Sequence, residues 1–327
     1  MTNFPQPTDR EVQKLLFESK ESLFELSRDM KIDNLSEIEV LRFEKEFYSS
    51  KDGELDALIK KYPYLFPNQF SDSVWLNKKN DSMELELYHK YSQVFSNFNF
   101  NSKKLKTIFK KAKTLETFKN PTIVTLINKG DFEDRVIYAD SLLFVSLNFY
   151  LGSSYYNNLP NYISERMEIS HISNDIAYKI SEKFVNNLED RTLLSNMITH
   201  GKILYINKLI NASEEEWIIF NTTKEKLAWA VENEFEIWSY FVEKELFYDT
   251  DLDLRSRFMS PAPYSKFNLD IDKKSPGGIG RWLGFKIVNS YMNHNQITVN
   301  QLLDIDHYTI FKNSKYLYSK SRAHYTS

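Results

Sequence analysis

The chain holds only 8 glycines in 327 residues, and four of them, Gly277, Gly278, Gly280 and Gly284, fall within Ser275–Met292. Pro276 followed by two glycines sets a sharp turn, because glycine adopts positive φ without steric cost. The residues after the turn read as a helix, with Ile279, Leu283, Ile287 and Tyr291 recurring every fourth position. Gly280 and Gly284 lie one turn apart on the face of Ile287 and Tyr291. A glycine inside a helix costs about 1 kcal/mol relative to alanine. Two at this spacing imply the close approach of another backbone or of a ligand, with Trp282 buried or at a cleft edge. Close helix packing is the expected use. The alternative is an anion at the helix N-terminus, helped by Arg281. No strand precedes the turn and no Gly-Lys-Ser/Thr follows it, so it is neither a P-loop nor a dinucleotide fingerprint.

A chain of this length with 42% hydrophobic residues can bury a large core. With 24 Phe and 20 Tyr, much of that packing must be aromatic. The net charge of -3 creates no field favouring nucleic acid. The Lys103, Lys104, Lys106, Lys110 and Lys111 cluster fits one solvated helix face. The absence of cysteine excludes disulfides, thiolate metal sites and cysteine nucleophiles. The most apolar segment, Leu142–Leu151, is too short to span a bilayer and is interrupted by Ser146 and Asn148.

Periodicity predicts a mostly helical α+β fold with a small sheet. Residues 1–30 are expected to form a polar, helix-forming extension, and 31–327 a single domain. Residues 33–47 alternate weakly, as a strand would. Helices are expected over 52–62, 71–95 and 103–118. The β-branched run Thr122–Ile127, Arg135–Tyr138 and Leu142–Tyr150 give three or four strands within 122–151, packed on helices. Helices are again expected over 174–188, 192–210, 214–219, 224–246, 279–293 and 298–313. No internal repeat is present.

Several blocks carry a family resemblance: Arg42-Phe-Glu-Lys-Glu-Phe47, Lys61-Tyr-Pro-Tyr-Leu-Phe-Pro67, Asp72-Ser-Val-Trp75, Tyr150-Leu-Gly152, Leu159-Pro-Asn-Tyr-Ile163 and Arg166-Met-Glu168. They continue with Thr192-Leu-Leu194, Gly201-Lys-Ile-Leu-Tyr205, Asn233-Glu234, Ile237-Trp-Ser-Tyr-Phe241 and the Ser275–Met292 turn and helix. In order and spacing they resemble the GldB-type gliding motility lipoproteins of Bacteroidota. The resemblance implies a non-enzymatic component of the gliding and type 9 secretion apparatus. Such a component would sit in the cell envelope on a lipid anchor and bind or stabilise other envelope proteins. Residues 1–30 contain neither the lipoprotein signal nor the lipid-bearing cysteine of that family. Three Asp-Ser-apolar triplets, at Asp72, Asp81 and Asp140, resemble O-glycan acceptors of exported Bacteroidota proteins.

The order of elements, a sheet with an edge strand followed by two helices, is also similar to zincin-like metallopeptidases. There, two histidines one helical turn apart bind zinc and a glutamate is the base. Here the nearest pattern is His171-Ile-Ser-Asn-Asp175, with His200 as a candidate third ligand. Ile172 stands where the base belongs, and an isoleucine cannot activate water. The expectation is therefore a degenerate site with no cofactor; a zinc-dependent hydrolase is the alternative. The bland reading is a surface His171, Asp175 near a helix start and His200 hydrogen-bonded between helices. A second candidate surface is the acidic, aromatic helix around Glu234 and Trp238. Together with Gly280, Arg281, Trp282 and Gly284, these residues are candidates for a cleft or for packing. A cleft of this kind would suit a glycan-binding module.

Overall fold

The computed structural model describes residues 36–139, 141–186 and 190–316. The expected extension over residues 1–30 lies outside them. The described residues divide into two compact units, one within Leu35–Phe109 and Lys119–Lys179, the other within Lys110–Phe118 and Ile180–Ser327.

The first unit carries the sheet. Strand β1 (Val40–Arg42) leads directly into helix α1 (Phe43–Ser49). Helices α2 (Leu55–Lys61), α3 (Asp72–Asn80), α4 (Ser82–Val94) and α5 (Lys103–Ala112) follow. Then come β2 (Thr122–Leu126), β3 (Val136–Ala139) and β4 (Leu142–Ser146). The strand order is β1-β2-β4-β3. The first three in that order are parallel, and β3 pairs antiparallel with β4. One row across the sheet runs Leu41, Val124, Phe144, Ile137. Ile123, Val124, Leu143 and Val145 are fully buried, as expected of β-branched and aliphatic strands packed on helices. Against one side, Phe47, Leu55, Leu58, Tyr62 and Phe66 form an aromatic-rich cluster.

Three expectations are corrected here. The fourth strand comes from Val40–Arg42, outside the 122–151 region, and only three residues of the weak 33–47 alternation are strand. The last strand stops at Ser146, where Leu147–Tyr150 tightens into a 3-10 turn. The helix expected over 71–95 is broken at Asp81, whose carboxylate accepts the backbone N–H groups of Met83 and Glu84 and starts a new helix. The triplet beginning at Asp81 thus has a local structural use as an N-cap.

The remaining helices are α6 (Asn161–Ser164), α7 (Ile172–Phe184), α8 (Leu193–Ile210), α9 (Glu216–Ile219), α10 (Lys224–Glu232) and α11 (Glu234–Glu243). They continue with α12 (Leu252–Phe258), α13 (Ile279–His294), α14 (Val299–Asp304) and α15 (His307–Asn313). The expected helix over 224–246 is two helices divided at Asn233, and that over 298–313 is divided at Ile305 and Asp306. Asp306 caps α15 through the Thr309 N–H. The second unit is built on the crossing of α8 and α13. Its core gathers Leu194, Met197, Trp238, Phe241, Phe258, Leu283, Ile287 and Tyr316. Among the described residues no helix is long and apolar enough to cross a membrane.

Candidate functional site

His171 ends a 3-10 turn before α7 and is buried, contrary to the expected surface position. Asp175 lies in the first turn of α7 and is also buried. Its partners come from the sheet. Arg135, just before β3, forks onto it, with Nε donating to Oδ2 at 2.8 Å and Nη2 to Oδ1 at 2.7 Å. The Tyr150 hydroxyl donates to Oδ2 at 2.7 Å. Arg135 also donates to the Phe132 carbonyl oxygen at 3.1 Å and lies 4.0 Å from the centroid of that ring. The guanidinium is thus held by its plane and by its edge.

The electrostatics follow from this geometry. Burial opposes ionisation of Asp175, but the Arg135 charge and the hydrogen bonds outweigh it and hold the carboxyl below its usual range. Burial drives the Tyr150 phenol well above its usual range, and the Asp175 charge adds to this. The cluster is therefore a buried ion pair with a neutral phenol donor. Both carboxylate oxygens of Asp175 are engaged by a permanent cation. Ile172, at the position of the sought base, is fully buried in the core.

His200 lies on α8. Burial, reinforced by the positive charge of Arg281, lowers its imidazole to about 3. Among the described residues no group of three or more His, Cys, Asp or Glu could hold a metal ion.

A second polar cluster, not singled out from the sequence, closes the carboxyl end of β1 and β2. Glu44, fully buried at the start of α1, accepts from Arg42 Nε at 2.7 Å and from the hydroxyls of Tyr91 and Thr125. One turn along α1, the Tyr48 hydroxyl donates to Glu84 of α4 at 2.8 Å. Lys78 and Lys129 complete the Glu84 site at 2.8 Å and 3.1 Å. Helices α1 and α4 thus exchange glutamate and tyrosine reciprocally, Glu44 with Tyr91 and Tyr48 with Glu84. Burial first, and the partner carboxylate second, raise both phenols. The available signal was local: Glu44 and Tyr48 are four residues apart and Glu84 and Tyr91 seven apart, spacings that place each pair on one face of its helix.

The second candidate surface, around Glu234 and Trp238, is interior. Glu234 is buried and accepts the Tyr316 hydroxyl at 2.5 Å, with Lys286 Nζ at 3.4 Å. Trp238 is 8% exposed and packs on Phe247, Phe311 and Tyr316. Trp282 is buried as well. The turn before α13 places Gly278 at φ 67°, but the first helical N–H, that of Ile279, is taken by the Ser265 hydroxyl at 3.0 Å. Arg281 Nε donates to the Met259 carbonyl oxygen. Both groups sought for an anion are thus used within the fold. Gly280 faces the Met259 sulfur and Gly284 the backbone of Met197.

A family model described as gliding motility protein GldB matches residues 25–317. No curated protein and no solved structure matches the chain.

Proposed function

Because the chain belongs to the GldB family of gliding motility proteins, we propose that it is a non-enzymatic component of the cell envelope that binds or stabilises other proteins of the gliding and type 9 secretion machinery. The observation that carries this reading is the closed Asp175–Arg135–Tyr150 cluster. In a helix read as a degenerate peptidase helix, the carboxylate at the ligand position is neutralised by a guanidinium. A metal would have to displace two charge-assisted hydrogen bonds to reach it. Two further buried carboxylates are likewise turned inward: Glu44 onto Arg42 and Tyr91, Glu234 onto Tyr316 and Lys286. Side chains spent on internal pairing give a rigid scaffold, which suits a protein whose work is to hold partners.

The test is affinity capture of the tagged protein from native cell envelopes after cross-linking, paired with metal analysis of the purified chain. Recovery of defined gliding or secretion proteins, lost when the bait is unfolded, is the expected result. Stoichiometric zinc that disappears in both His171→Ala and Asp175→Asn would replace this reading with that of a metallohydrolase. Retention on a polysaccharide without protein partners would replace it with a glycan-binding module.

A further inference from the structure

We draw no further inference here: the strongest candidate, the apolar end of the sheet row where Ile137 of β3 is 43% exposed beside Phe144 of β4 and Tyr64 lies edge-on to that ring, is a sheet face for which nothing in the structure shows what covers it.

Discussion

Gly201 of α8 lies directly against Gly284 of α13: a methyl group placed on Gly201 would sit 2.4 Å from the Gly284 carbonyl oxygen. The contact is made from both sides, since a methyl on Gly284 would sit 1.9 Å from the Met197 carbonyl oxygen, one turn before Gly201. The neighbours are backbone atoms on both helices, so no rotamer change relieves the overlap. The helices can cross this closely only because both positions lack a Cβ.

Gly284→Ala therefore sets two effects against each other. Alanine raises helix propensity by about 1 kcal/mol. The overlap forces the helices apart, which costs about 1–3 kcal/mol or more by overpacking. The steric term should win, and the variant should melt at a lower temperature than the parent. Gly53→Ala, at a site with nothing within 4 Å, is the control and should leave the melt within about 0.5 kcal/mol. A Gly284→Ala protein as stable as the parent would mean that the two helices do not meet at these glycines.

Arg135→Met should be far more harmful than its surface counterparts. It leaves the Asp175 carboxylate buried without its cation, a loss of about 3–5 kcal/mol. Asp175→Leu strands the guanidinium in the same way. Combining the two removes both charges, so the double variant should recover part of the loss. Urea unfolding of the parent, both single variants and the double measures the coupling. Strict additivity of the single losses would show that the pair contributes nothing as a pair.

His200 makes stability fall in acid. Its folded value is about 3, against about 6.5 in the unfolded chain. Between those values the unfolded state binds a proton that the folded state does not, so stability is lost as pH drops below about 6.5. His200→Gln should flatten this part of the profile, most visibly between about pH 6.5 and 5, before carboxylates titrate. An unchanged slope of melting temperature against pH in that window would mean that the imidazole charges in the folded protein.

Lys202 acts at the other end of the scale. It is buried on α8 and donates to the carbonyl oxygens of Leu303 and Ile305 at 3.1 Å and 2.6 Å, at the end of α14. Burial lowers it to about 8, with Asp306 and Asp304 acting in the opposite sense. From about pH 8 to 10.4 the unfolded chain holds a proton that the folded one releases, so this residue makes stability rise with pH. Lys202→Met should remove that rise. Circular-dichroism melts across the window decide the matter, and an identical gain in the variant would assign the effect elsewhere.

The sequence by itself determined the family, the mostly helical α+β class and the central strands, because these rest on local signals: block order, period and β-branched runs. It also marked Gly280 and Gly284 as close-packing positions, since glycine in an apolar helix needs a steric reason. Tertiary structure alone decided what each glycine meets, and that Gly201 is the partner of Gly284 across 83 residues of chain. It also decided the fate of the charged candidates. Asp175, Glu44 and Glu234 look alike in sequence, as acidic residues near helix starts. Each becomes a buried carboxylate only because a partner remote in sequence, Arg135, Tyr91 or Tyr316, arrives to satisfy it. Burial of a charge depends on that pairing, and no periodicity within one segment encodes it.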